Sequence, residues 1–254
     1  MLGASFLLGG FKYHVQEYNR SAARLQAGLL FLATIAMLIP SVLAESDATS
    51  TNLAFTQSLS VGLSILLIIT YALGLLFSLK THRELLASQD HGEAGEPAWP
   101  LRLALVTLAA VTVLIALVSE VFVESVQQAA VALGITPAFV GVIIVALVGG
   151  AAEMVSAFSA ARKNKLDLSV GIALGSAVQI ALFVAPVLVL SSYVIGPTPM
   201  DLQFWRGAVV MTVIAAITAF LVTNSGRSAW FLGALIVTVY VIFGMTLYLL
   251  PPRT

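Results

Sequence analysis

The sequence predicts an all-α polytopic membrane protein, and three observations carry that prediction. Of its 254 residues 59% are hydrophobic and only 9% are charged, with a mean hydropathy of +1.02; a soluble domain carries roughly 25% charged residues. The apolar residues come in long continuous runs. Lipid offers a backbone no hydrogen-bond partner, so such runs must be helices, and the alternation of a barrel strand is absent. The 12 Lys and Arg residues fall almost entirely on one side when the runs are threaded back and forth, as the positive-inside rule requires. The absence of cysteine excludes a disulfide framework and a thiolate metal centre. Met1 to Gly10 lacks the basic start and cleavage pattern of a signal peptide.

The chain opens on Met1 to Leu8, an apolar run too short for a core of about 30 Å, which needs roughly 20 residues. It reads as the tail of a helix whose beginning is missing, the alternative being a short interfacial segment. A polar, basic segment from Lys12 to Arg24 follows, then a first full span from Leu25 to Leu43 with Pro40 near its end. The loop Ala44 to Ser50 carries acids and no Lys or Arg. A second span runs from Leu59 to Leu79. Lys80 to Pro100, with Asp90, Glu93 and Glu96, is the longest hydrophilic stretch. It reads as a solvated cytoplasmic linker rather than an ion-sensing acidic helix.

Further spans follow at Leu101–Val126, Ala138–Ala161, Leu168–Val194, Phe204–Val222 and Ala229–Leu250, about seven full spans in all plus the partial one. Their joints, Gly134 to Pro137, Ile195 to Pro199 and Thr223 to Gly226, are turn chemistry. With the linker in the cytoplasm, only Arg206 and Arg253 among the basic residues lie outside. His14, His82 and His91 all fall in cytoplasmic segments, so none is placed for an intramembrane proton relay.

The partial helix and two spans before the linker echo the last three spans in spacing, with opposite polarity. Inverted repeats mark secondary transporters, with the site at the repeat interface near the bilayer midplane. The organisation is then 1–79, the remainder of a first repeat; 80–100, the linker; and 101–254, a second repeat. A complete first repeat would hold more helices, including a second Glu-bearing one.

Glu153 is the expected centre of the chemistry. It is the only ionisable residue between Val140 and Arg162, and a carboxylate at mid-bilayer costs roughly 2.5–3.5 kcal/mol on insertion scales. Such groups line ion pathways; the bland alternative is a packing carboxylate. Gly149, Gly150, Ala151 and Ala152 precede it and allow close backbone approach or a helix break. Gly175-Ser176-Ala177-Val178-Gln179 repeats the idea one span later: Ser176 and Gln179 offer oxygens at i, i+3, against the alternative of ordinary interhelical hydrogen bonding. Glu120 and Glu124 lie one turn apart, with Gln127 and Gln128 continuing the face. They suit an access vestibule, or simply the end of a span at the interface. Gly171 and Gly175 form a small-residue packing pattern, and Arg162-Lys163-Asn164-Lys165 is positive-inside charge.

These are ligands for a hard cation. Ca2+ takes roughly 6–8 oxygens from carboxylates, carbonyls and waters. Glu153, Ser176, Gln179 and carbonyls freed at Gly149 and Gly150 supply about half a shell. Competition of cation and proton for one carboxylate gives antiport without a further device. Ca2+ and H+ are then cargo and no cofactor is required.

In these residues the chain resembles the calcium/proton exchangers of the cation/calcium exchanger superfamily. Gly-Gly-Ala-Ala-Glu at 149–153, Arg162 to Leu168 and Gly171 to Pro186 are similar to the second α-repeat. Ser119-Glu120 with Glu124 resembles the acidic helix before that repeat. Leu79 to His82 resembles the motif before the cytoplasmic acidic segment, and Leu7 to Tyr13 the end of the third helix. The resemblance implies ten core helices in two inverted halves, and Ca2+ expelled from the cytoplasm against inward protons. It also implies a Glu at position 153 that binds the ion. Gly150 stands where the family has Asn, Met154 where it has His, and Ala146 where it often has Pro. These departures leave a sodium-coupled or monovalent cation/proton exchanger as the alternative.

The first α-repeat would come from a longer chain or a partner subunit. The remaining alternative is a non-transporting fragment or scaffold subunit. The expected setting is a bacterial inner membrane, with lipid and inorganic cations as partners. Neither nucleic-acid binding nor enzymatic activity is expected: no Ser/His, Cys/His or dinucleotide constellation appears.

Overall fold

The computed structural model describes residues 1–43, 53–81, 100–196 and 198–249. Its helices are α1 (Leu2–Tyr13), α2 (Arg20–Leu43), α3 (Leu53–Leu76, continued by a π-helical turn Phe77–Thr81) and α4 (Leu101–Leu133). They are followed by α5 (Pro137–Gly149), α6 (Ala151–Arg162), α7 (Leu166–Ile195), α8 (Arg206–Thr223) and α9 (Trp230–Leu249). Among the described residues six helices are long and apolar enough to cross a membrane, or seven if α5 and α6 are one broken span. The expected helical membrane architecture is thus present, with the opening run as the 12-residue α1. The Ala44–Ser50 loop, most of the linker with His82 and His91, and Arg253 lie outside the described residues.

Helix ends follow their chemistry. α4 continues past Val126 to Leu133 because no breaker intervenes, and it stops at Gly134, whose φ of 66° is the left-handed conformation glycine adopts without strain. Thr136 then caps α5 by accepting the Phe139 N–H, with Pro137 in the first turn.

Two compact units emerge from the packing: Met1–Ser88 with Ala152–Val239, and Gln89–Ala151 with Tyr240–Thr254. In the first unit α7 is the central rod. Near its start Leu166, Val170 and Leu174 pack with Phe6, Tyr18, Ala23 and Ala161. Further along Val178, Leu182 and Val189 pack with Ala33, Ala36, Leu67 and Leu202. Phe6 stacks on Tyr18, with ring centroids 5.8 Å apart. α1 presses its glycine face on the start of α9: Gly3 meets Gly233, and a Cβ at Gly10 would overlap the Trp230 backbone. Small residues permit that approach where lipid supplies no hydrophobic drive.

A short antiparallel ribbon is an addition that helical periodicity does not foretell. β1 (Val15–Glu17) pairs with β2 (Arg227–Ala229), with Gln16 opposite Ser228. Both three-residue strands bury their middle residue. At the other end of α7, the loop before α8 is stapled by three serines. Ser192 Oγ accepts from the Met200 N–H (2.8 Å), Ser60 Oγ from Leu202 (3.1 Å) and Ser41 Oγ from Phe204 (3.0 Å).

In the second unit α4 exposes nearly every side chain and buries only Ala130. α5 is tied to the end of α9 by Thr136 Oγ1 donating to the Leu247 carbonyl (3.0 Å) and by the edge-on contact of Phe139 with Tyr248.

Candidate functional site

Glu153 sits in the first turn of α6, immediately after the backbone breaks. Gly150 ends α5 at φ −93°, ψ 12°, outside the helical basin, with its N–H bonded back to the Ala146 carbonyl at 3.1 Å. The helix restarts at Ala151. A new helix start has N–H groups without intrahelical partners and a partial positive charge, both favourable to a carboxylate. Glu153 is half-buried there, on a short helix whose Ala157, Ala160 and Ala161 are buried and whose Val155 and Ser156 are exposed. Gly149 is exposed and a Cβ on it would meet open space. Its role is therefore in the break and not in close packing.

Ser176 and Gln179 lie on α7 as it approaches a π-helical stretch, Ile180–Val184, that precedes Pro186. Ser176 is half-buried and Gln179 exposed. None of Glu153, Ser176 and Gln179 spends its side chain on a hydrogen bond to another protein group. Their oxygens are available, and no direct bond joins them. Among the described residues no cluster of three His, Cys, Asp or Glu forms.

Gly171 and Gly175 do not make a close helix crossing. A Cβ at Gly171 would meet nothing within 4 Å, and one at Gly175 would find Gln26 Nε2 at 3.6 Å. That contact identifies a residue the sequence reading passed over. Gln26 of α2 lies beside Gly175, next to Ser176, with its buried side-chain oxygen unpartnered. The available signal was a carboxamide just inside an otherwise apolar span. Glu120 and Glu124 share an exposed face of α4, where Gln128 donates to Glu124 at 3.3 Å.

The far end of α6 is capped with unusual completeness. Asn164 takes φ 59°, and the Lys165 N–H reaches the Ala160 carbonyl (2.9 Å) while Asn164 N–H reaches Ala161 (3.2 Å). This is the Schellman arrangement, with Asn in the left-handed position. The last carbonyls are then taken by residues from the other end of the chain. Gln16 Nε2 donates to the Ala161 carbonyl (3.0 Å) and to Asn164 Oδ1 (2.9 Å). Lys12 Nζ (3.1 Å) and the Tyr13 hydroxyl (3.0 Å) both donate to the Arg162 carbonyl. The adjoining start of α7 is tied in by Asp167 Oδ1 accepting from the Asn19 N–H at 2.9 Å. The Arg162–Lys165 segment is therefore a helix stop as well as a run of charge.

Over residues 103–249 the chain matches the family described as sodium/calcium exchanger protein. It is 41% identical to the Ca(2+)/H(+) antiporter ChaA of Bacillus subtilis (strain 168), covering 98% of this chain and 70% of that protein. To the Ca(2+)/H(+) antiporter of Aphanothece halophytica it is 37% identical, covering 99% of this chain and 70% of the relative. It is 35% identical to the vacuolar cation/proton exchanger 1a of Oryza sativa subsp. japonica, of which it covers 57%. Among solved structures, native YfkE superposes with a TM-score of 0.80 at 38% identity, covering 98% of this chain and 70% of that one.

Proposed function

Because the chain belongs to the sodium/calcium exchanger protein family, we propose that it is a secondary active antiporter that exports Ca2+ from the cytoplasm in exchange for H+. The observation that carries the reading is Glu153: a half-buried carboxylate at the start of a helix that begins where an apolar span breaks. The choice of Ca2+ and H+ over a sodium-coupled or monovalent exchange rests on the named bacterial relatives above.

In this reading Glu153 binds the cation and the proton in turn. Ca2+ pairs with the carboxylate in one state and H+ neutralises it in the other, so Glu153 does not cross the alternating-access step as an unpaired carboxylate. Ser176, Gln179 and the carbonyls left without helical partners at the Gly149–Gly150 break add hard oxygens, and water completes the shell. Glu120 and Glu124 raise the local cation concentration along the access path. Ca2+ and H+ are cargo; no resident cofactor is invoked, and lipid is the surrounding partner. The membrane is a bacterial inner membrane, oriented with the Lys12, Arg162 and Arg227 end in the cytoplasm.

The deciding experiment is 45Ca2+ uptake into inverted membrane vesicles carrying the chain, under an imposed proton gradient, with Na+ as competitor. Proton-driven uptake insensitive to Na+, lost in Glu153→Gln while membrane insertion persists, is the expected result. Normal uptake by Glu153→Gln would remove Glu153 from the site.

A further inference from the structure

Helix α6 is short, and Glu153 stands at its start. Its far end is gripped by three side chains from Lys12 to Gln16, a segment well over a hundred residues away in the chain. We propose that Gln16 is a positioning residue for ion exchange: with Lys12 and Tyr13 it clamps the C-terminus of α6, and so sets the depth and rotation of Glu153. The proposal rests on the ion-binding role given to Glu153 above.

The geometry supports this in three ways. A helix rises about 1.5 Å per residue and is stiff over a few turns, so Glu153 sits about 13 Å from the clamp at Arg162. Holding one end of such a rod constrains the other. The Gln16 side chain is also placed to do only this. It is 2% exposed, and both of its donor contacts go to the α6 end, one to the last-turn carbonyl of Ala161 and one to Asn164. Space for it is reserved by Gly9, where a Cβ would overlap the Gln16 side-chain oxygen. Finally, the clamp is itself anchored. Gln16 is the middle residue of β1, paired with Ser228 of β2, and β2 leads directly into α9. The end of α6 is thus tied to α1, β1 and the β-ribbon.

Three of the four clamp bonds go to carbonyls of the last turn: Arg162 takes two of them, and Ala161 takes one beside the Asn164 N–H; the fourth goes to the Asn164 side chain. Lys12 adds a positive charge near the negative end of the α6 dipole. Without Gln16 the Schellman turn still closes through the Asn164 and Lys165 N–H groups, so α6 can fold while its attachment is reduced to the more exposed Lys12 and Tyr13 bonds. Position is at stake more than helix formation.

The test compares Gln16→Met, which keeps the volume and removes both donors, with the unsubstituted chain in vesicles. Asn164→Gly removes one of the two bonds while keeping the left-handed backbone of the Schellman turn, and serves as the milder variant should Gln16→Met fail to accumulate. Two readings are taken at equal amounts of folded protein: hydrogen–deuterium exchange of the 151–165 amides, and the Ca2+ KM and pH profile of proton-driven uptake. The expected result is faster exchange confined to α6 and its end, together with a rise in KM of about threefold or more, since small displacements of a liganding group are costly. Unchanged α6 exchange overturns the proposal. Faster exchange with KM and pH profile unaltered also overturns it, because the clamp is then merely structural. If the unsubstituted chain moves no Ca2+, the transport reading fails by itself, and the exchange measurement alone decides whether Gln16 holds α6.

Discussion

The two site-bearing stretches are both interrupted, and the backbone handles the interruptions in opposite ways. At Gly150 the helical ladder ends: the residue leaves the helical basin and a new helix starts at Ala151. In α7 the ladder does not end. Through Ile180–Val184 it widens to π-helical spacing and carries on through Pro186 to Ile195. Proline lacks an N–H and crowds the preceding turn, and the wider turn takes up the mismatch. Both regions contain small residues and oxygen-bearing side chains, so the sequence presents them as equivalents. The backbone makes them unequal. The first offers a new helix start to a carboxylate, and the second keeps a continuous helix and offers Ser176 and Gln179. Under the proposed function, charge handling falls to the first interruption and shell completion to the second.

The strongest way to break this contrast is Glu153→Gln, expected to lower proton-driven 45Ca2+ uptake to background, about a hundredfold or more for loss of the one charged ligand. Closing the break is next. Gly150→Ala favours a continuous helix by roughly 1 kcal/mol and should reduce uptake several-fold at unchanged expression, whereas Ala185→Gly beside the π stretch should leave uptake within twofold. On the α7 side, Ser176→Ala and Gln179→Leu should each raise the Ca2+ KM a few-fold and spare the maximal rate, about 1 kcal/mol per lost neutral ligand. A maximal rate lost as completely as in Glu153→Gln would make the two interruptions equal after all. Tyr18→Phe, which removes the hydroxyl bond to the Val222 carbonyl at 3.1 Å, should lower thermal stability in detergent by about 1 kcal/mol with KM unchanged. The smallest effect is expected from Glu120→Gln with Glu124→Gln. Uptake at low ionic strength should fall by about twofold and the difference should vanish near 0.5 M salt, because exposed charges are screened.

Much of the fold was legible because lipid simplifies the problem. Six of the seven predicted spans each correspond to one helix, and the seventh, Ala138–Ala161, to the pair α5 and α6, since an apolar run of that length has only one way to satisfy its backbone in a bilayer. The Gly149–Gly150 pair and the isolated charge at Glu153 stood out for the same reason, each being an exception to a uniform background, although the glycines left a helix break and a close backbone approach both open. Harder to see was anything made by bonds between distant parts of the chain. Gln16 looked like an ordinary polar residue in a basic segment, and it is a buried clamp. Gln26 looked like the edge of a span, and it faces Gly175. The Gly171–Gly175 pattern suggested a tight crossing that the helices do not make. Asn164 was hidden among lysines and arginine, although an Asn after a helical run is a recognisable stop.

The sequence by itself determined the helical class, the number and order of spans, and the place where a charge interrupts lipid-compatible chain, because hydrophobicity and hydrogen-bond satisfaction are properties of local composition. Tertiary structure alone decided what holds each helix in place: the Gln16 clamp on α6, the serine staples on the loop before α8, and the ribbon that joins β1 to β2. Those contacts join residues far apart in the chain through single directional bonds, and a polar side chain carries in its own identity no record of which distant carbonyl it will meet.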